Sequence, residues 1–343
     1  MTRPLASLSL DLDNKWAYLR AAGRPDWAQR PGYLPLVVDR MVDVLGELDL
    51  PLTVFVVGRD LAGVCDDDDA SEGTNEADAI KGFSALRAWE PANHSLNHLP
   101  WMHTMDAAEI AAEIETTHRR IVAATGRVPM GFRGPGFSCP DEVLRVLANN
   151  HYVYDASIFP TSIAPIARMV FLIKSDLKGE QREKAKKLYG GFSSLLQPNR
   201  PFQRTVDESQ LWEMPVTVMP ITRTPIHFSY FTYLASFSTL AAKSYLRLAI
   251  RMCKLTRTPP SLLLHPPDFM GQEDDSDMAY FPAMNMSRKD KLAIVRWGLK
   301  LYADSFDVRL MIDQLKATDP NVGTAIASAE DQTIPSPKIA SAV

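Results

Sequence analysis

Four places in the sequence carry side chains able to do chemistry together: Asp11 with Asp13, His94 with His98, the turn from Gly131 to Phe137 that holds Arg133, and His265. From Leu5 to Asp13 apolar residues alternate with polar ones, and successive strand side chains point to opposite faces. Ala6, Leu8, Leu10 and Leu12 therefore share one face, and Ser7, Ser9, Asp11 and Asp13 the other. Two carboxylates then converge at the C-terminal end of a strand, where barrel enzymes place their reactive groups. Read alone, Asp11-Leu12-Asp13-Asn14 is more often a solvated strand end with an Asp-rich turn.

On an extended chain, residues spaced as His94 and His98 stand ~13 Å apart, too far to share an ion. A turn of helix brings such a pair to ~6 Å, from which both rings reach a metal at ~2.1 Å. Pro91 and Pro100 flank the pair and favour a short turn over a long helix. Ser95 stands where the metalloprotease pattern H-E-x-x-H needs its glutamate, which excludes that chemistry. In the Gly131–Phe137 turn, small residues allow close backbone approach, so an N–H could face a developing oxyanion. The same residues also fit an ordinary Pro-Gly turn with a surface arginine. His265 ends the apolar run Leu262 to Leu264, a place where a lone histidine is more often packed than reactive.

These groups need a scaffold of strand ends. The alternating run at 5–13, the helical periodicity from Pro35 to Leu48 and the β-rich run Leu52 to Val57 follow the rhythm of βαβ units. Asp106 and Glu109 have capping-box spacing and Gly126 supplies a stop, which predicts a helix over 106–125. Further strands are expected near Arg133, at 151–155, 211–219, 261–265 and 307–312, with helices after Pro140 and over 289–303. About seven strand-helix repeats predict an irregular, TIM-like (β/α) barrel spanning residues 1–316.

Two segments break the rhythm. From Arg59 to Asp78 eight acidic residues stand against one basic residue, which predicts a solvated loop. From Arg168 to Arg204 nine Lys/Arg stand against three Asp/Glu, and a helical insertion is expected at about 165–205. Residues 317–343 show no periodicity and are expected to form a disordered tail.

A hydrophobic content of 46% with 23% charged residues supplies a large core and excludes a wholly disordered chain. A net charge of −4 without a long basic stripe argues against nucleic acid as partner. Cys65, Cys139 and Cys253 show no C-x-x-C spacing, so neither a disulfide framework nor a zinc-thiolate site is expected. The strand pattern begins too close to Met1 to leave a signal peptide, and the runs 163–173 and 233–250 do not read as membrane helices, so a cytoplasmic location is expected.

Taken in order, these features resemble the polysaccharide deacetylase family, carbohydrate esterase family four, also called the nodulation-factor deacetylase homology domain. Asp11-Leu12-Asp13 looks like its first motif, His94 to His98 its H-[ST]-x-x-H, and Arg133 to Gly136 its R-x-P-[YF]. Tyr154 to Ser157 looks like its aspartate-bearing fourth motif and Leu262 to His265 its L-x-x-H, so the resemblance covers residues 5–312.

The resemblance implies metal-dependent removal of an N-acyl group, acetyl or formyl, from a sugar. It implies one divalent ion held by Asp13, His94 and His98, with zinc expected and cobalt, nickel or iron as alternatives. Asp11 would be the general base with Arg133 as its partner, His265 the acid that protonates the leaving amine, and Asp155 the group that orients His265. A backbone N–H near Gly136 would assist the oxyanion, Gly136 and Phe137 would meet the substrate, and Tyr230 of the aromatic run 228–233 could line the same groove. Two departures bear on the substrate. D-L-D in place of adjacent aspartates is similar to cytoplasmic, lipid-linked-sugar deformylases and allantoinase-like members, and Gly136 stands where the pattern has an aromatic. The expected partner is a carbohydrate, lipid-linked or anionic, with peripheral contact at the inner membrane face through Lys184, Lys186 and Lys187 of the insertion. The alternatives are an allantoinase-like hydrolase of a small amide and a catalytically inactive carbohydrate-binding barrel.

Overall fold

Strand β1 (Leu5–Leu12) runs through the middle of the molecule and pairs in parallel with three partners, β2 (Leu52–Val56), β8 (Ser261–Leu264) and, at its N-terminal end, β9 (Asp307–Arg309). The computed structural model describes residues 3–65, 74–163 and 195–330. Beyond β2 the sheet continues through β3 (Trp89–Asn93), β4 (Gly131–Phe132), β5 (Tyr154–Asp155) and β7 (Ser209–Glu213), all parallel, to the edge strand β6 (Phe202–Val206), which pairs antiparallel with β7. Between the outer strands the circle is joined without a ladder. Val216 N donates to Ile158 O, Thr217 N to Ser261 O, and Ser261 N to Thr217 Oγ1.

The architecture is the expected irregular (β/α) barrel, with nine strands in its sheet instead of about seven. The alternation of β1 places Ala6, Leu8, Leu10 and Leu12 in the main core. That core is shared with helix α2 (Leu34–Glu47) and helix α8 (Arg288–Ser305), whose Val37, Val38, Met41, Ile294, Val295 and Leu299 are fully or almost fully buried. The opposite strand faces turn inward and make a bore that is polar for much of its length, with Ser7, Ser9, Asp11, Thr53, Glu90, Arg133 and Asp155 all buried. Helix α4 (Ala107–Thr125) begins with the predicted capping box of Asp106 and Glu109 and stops at Gly126, whose φ of 68° favours glycine.

Helix α9 (Met311–Thr318) closes the lower end of the bore: Met311 N donates to Thr53 Oγ1 and Ile312 N to Glu90 Oε2. Three expectations need correction. Residues 322–330 of the supposed tail form helix α10 (Val322–Glu330), held by the buried Val322 and Ala329. The end of the supposed helical insertion is strand β6, and the predicted strand 211–219 stops at Glu213. The body of the insertion, with Lys184, Lys186 and Lys187, and the Asp66–Asp69 run lie outside the described residues. Among the described residues no helix is long and apolar enough to cross a membrane.

Candidate active site

Five of the residues singled out by type gather at one rim because each immediately follows or ends a strand. Asp13 follows β1, His94 β3, Arg133 β4 and His265 β8, while Asp155 ends β5. That rim is the C-terminal one, which carries the loops free to vary on a fixed barrel.

Asp13 Oδ1 lies 3.3 Å from His94 Nε2 and 3.0 Å from His98 Nε2. Ligands ~2.1 Å from one ion at tetrahedral to octahedral angles stand ~3.0–3.4 Å apart, so both spacings suit a shared cation. Asp13 Oδ1 is close to both rings yet in hydrogen-bond geometry with neither. His94 Nδ1 sits 2.6 Å from the carbonyl of Arg133. A carbonyl only accepts, so Nδ1 carries the proton and, in the neutral ring, Nε2 turns its lone pair to Asp13. Burial pushes the Asp13 carboxyl up, but the rings of His98 and His94 outweigh it and hold it well below the usual carboxylate range. For His94 burial works downward, and the carboxylates of Asp11 and Asp13 raise it on balance. The donor set of one carboxylate and two imidazoles fits a divalent ion with open positions.

The histidine pair is not brought together by a helical turn. Ser95 and His98 adopt left-handed backbone, with φ of 63° and 49°. Ser95 N donates to Asn93 Oδ1, His98 N to Ser95 Oγ, and Asn97 bonds both oxygens of Glu113 on α4. Arg20 adds a hydrogen bond to the His98 carbonyl. The ring centroids end 5.0 Å apart.

Asp11 is gripped from one side. Arg133 NH1 donates to its Oδ1 at 2.5 Å, while the same guanidinium donates from Nε to Ala156 O and lies with its carbon 4.0 Å from the Phe55 ring centroid. This arginine is fully buried, so it is no surface residue of a Pro-Gly turn. The turn itself depends on glycine: a Cβ on Gly134 would meet the Ser138 carbonyl at 1.9 Å. The other Asp11 oxygen, Oδ2, lies 4.0 Å from His94 Nε2 and 3.9 Å from His265 Nε2, facing the centre of the rim.

His265 has a different support from the one expected. Asp155 accepts from Ser157 Oγ, which accepts in turn from Gly134 N, and its neighbour is Glu213, whose carboxyl is driven well above the ordinary range by burial and by Asp155. Asp155 thus braces the Arg133 turn. The group at His265 Nδ1 is Ser229 Oγ, at 3.0 Å, on helix α6 (Phe228–Ala235). Ser229 donates to Asp268 Oδ2, and the same carboxylate oxygen accepts from His265 N.

Sequence reasoning also missed His227. It is buried between Phe159, Tyr230 and His265, with ring centroids at 5.5, 4.5 and 5.7 Å, and among the described residues its Nδ1 has no hydrogen-bond partner. Burial and the neighbouring His265 hold it well below its usual range, so it is neutral. Phe137 packs on Phe159 at 4.9 Å, so Phe137, Phe159, His227 and Tyr230 form one aromatic wall leading to His265. Only the position of His227 one residue before the aromatic run hinted at this.

A parallel barrel with a carboxylate-histidine cation site and further titratable groups at its C-terminal rim has the layout of a hydrolase that works on a polar bond. Residues 31–154 match the polysaccharide deacetylase family profile, which bears out the resemblance read from the motifs. That stretch holds His94, His98 and Arg133, and the fold carries Asp11, Asp13 and His265 to them from outside it. Among curated proteins none matches the sequence. Among solved structures, the chain is similar to a Mycobacterium smegmatis protein named as a polysaccharide deacetylase, at 16% identity over 98% of this chain and 99% of that one, with a TM-score of 0.54. At that identity the likeness speaks for the fold. Weaker likenesses are to a family 4 carbohydrate esterase from Streptomyces lividans (15% identity, 57% of this chain and 89% of that one, TM-score 0.34) and to a pseudoenzyme of the same family from Bacillus anthracis (20%, half of each chain, TM-score 0.33).

Proposed function

We propose that this protein is a metal-dependent hydrolase that removes an N-acyl group, acetyl or formyl, from a sugar. The observation that carries the reading is the position of Asp11 Oδ2, which faces the Asp13/His94/His98 cluster on one side and His265 on the other. Asp13, His94 and His98 would hold a divalent ion, which would supply Lewis acidity to the amide carbonyl and to the attacking water. Zinc suits one carboxylate with two imidazoles, as do cobalt, nickel and iron.

The chain's own groups then divide the proton work. Asp11, held by Arg133 through Oδ1, keeps Oδ2 free to take the proton of the water. His265 faces the same space with Nε2, while Ser229, itself bonded to Asp268, holds the ring through Nδ1 so that Nε2 is aimed to give a proton to the departing amine. The aromatic wall of Phe137, Phe159 and Tyr230 offers an apolar face to a sugar ring, and the neutral His227 offers a ring nitrogen to its hydroxyls.

The test is release of free amine from a panel of N-acetyl and N-formyl sugars by the metal-loaded protein, with small cyclic and linear ureides alongside. Turnover of the sugars alone, lost in Asp11→Asn, supports the proposal. Turnover confined to the ureides would transfer the same machinery to a small-amide hydrolase, and turnover of neither would leave an inactive binding barrel.

A further inference from the structure

We propose that the outer face of helix α7 (Thr239–Leu255) docks the protein onto an anionic lipid surface. Between Glu213 and Asp268 the sequence contains no acidic residue and six lysines and arginines, five of them from Lys243 to Arg257. Such a stretch inside a chain of net charge −4 is a local reversal of sign.

The helix divides cleanly by its 3.6-residue period. Ala242, Leu246, Ala249, Ile250 and Cys253 are buried in the main core. The opposite side exposes Leu240 at 76%, Leu248 at 51% and Leu255 at 79%, and the preceding Phe237 stands at 74%. Interleaved with them on that side are Lys243, Arg247, Arg251 and Lys254, with Arg257 just beyond the helix. Among the described residues none of the five forms an ion pair; Lys243 and Arg247 lie over the Trp297 ring and Lys254 over Phe306.

An outer face that only met water would not need four large apolar side chains, and one that bound a purely acidic polymer would not use them. Leucines and a phenylalanine among unpaired cations match the two layers of a bilayer surface, acyl chains below and anionic headgroups at the level of the charges. The helix is charged on this face throughout, so it lies on such a surface and does not cross it. The helix α6, which carries Ser229 and Tyr230, leads through Phe237 into the N-terminal end of α7.

The experiment is co-sedimentation of the full chain with vesicles of equal parts phosphatidylglycerol and phosphatidylcholine, against pure phosphatidylcholine. Each Lys or Arg near an anionic surface favours binding about five-fold, so Arg251→Glu with Arg257→Glu should weaken binding at least ~25-fold. Leu248→Ser with Leu255→Ser should weaken it at least ~10-fold. All four positions are exposed, so unchanged circular dichroism should accompany both variants, and salt at ~1 M, where screening acts within ~3 Å, should release the wild type. No sedimentation at low salt overturns the proposal. So does loss with the charge variant alone, because indifference to the leucines would leave a contact of charges only and remove the apolar insertion on which the proposal rests. Sugar-amide hydrolysis in solution by both variants is expected to be unchanged, so this test stands apart from the catalytic one.

Discussion

Arg133 and Asp11, 122 positions apart in the sequence, meet through NH1 and Oδ1 at 2.5 Å in the centre of the bore. Only one carboxylate oxygen is engaged by the arginine, and the other is left facing the reactive space. The first prediction follows from this split. Asp11→Asn should keep the metal and lose ~10²–10⁴ in rate, the usual cost of removing a general base. His94→Ala should instead lose the metal. Mass-spectrometric metal content of the two variants separates the roles, and near-stoichiometric metal in His94→Ala rejects the ligand set.

Replacement of Arg133 by methionine should cost stability as well as rate. Asp11 would remain in the bore without its cation, and breaking a buried pair from one side typically costs about 3–5 kcal/mol. Urea unfolding of Arg133→Met and of the double variant with Asp11→Asn reads this directly. The double variant should recover part of the loss, and equal midpoints for the two would mean that the pair does not matter to folding.

For the acid limb, Ser229→Ala and Asp268→Asn should slow amide hydrolysis ten-fold or more while sparing an activated aryl ester, whose leaving group needs no proton. The comparison of the two substrates in each variant is the readout. Equal losses on both would make Ser229 and Asp268 structural supports only.

Glu90 offers a pH test away from the rim. It accepts from Thr53 Oγ1, Tyr154 OH and Ile312 N, and burial still raises its carboxyl from 4.5 to about 7. The folded state therefore holds this proton more tightly than the unfolded chain, so Glu90 contributes most below pH 4.5 and its contribution is lost as pH rises towards 7. The span is worth about 3 kcal/mol. The stability difference between wild type and Glu90→Gln, measured by urea at pH 5 and pH 8, should move against the wild type at the higher pH. A difference that does not change with pH would contradict the burial of a protonated Glu90.

How much of this was legible in the sequence depended on range. The period of two in β1 was enough to set Asp11 and Asp13 on the inner face, because strand alternation is local. His94 and His98 were recognisable as a pair, but their left-handed turn was not, since Asn93 and Glu113 hold it through side-chain bonds that leave no periodic trace. The support of His265 was misread as Asp155 because Ser229 sits 36 residues away inside an apolar helix, where a serine reads as filler. Helix α10 escaped notice because its Ala, Ser, Thr and Gly residues give no apolar stripe, and β6 because its ladder is antiparallel and bordered by a basic stretch.

The join between Thr217 and Ser261 has a consequence for the breathing of the barrel. Around β1 the wall is a ladder of four or five register pairs per strand pair, and opening it means breaking neighbouring bonds together. At this seam a few isolated hydrogen bonds and the packing of Leu263 on Val216 and Val218 hold the two sides. Local opening follows the weakest set of bonds, so amide exchange should reach Val216 and Thr217 long before Leu10 and Val54. The barrel then gives way first along this line, while the ladders of β1 with β2 and β8 stay closed.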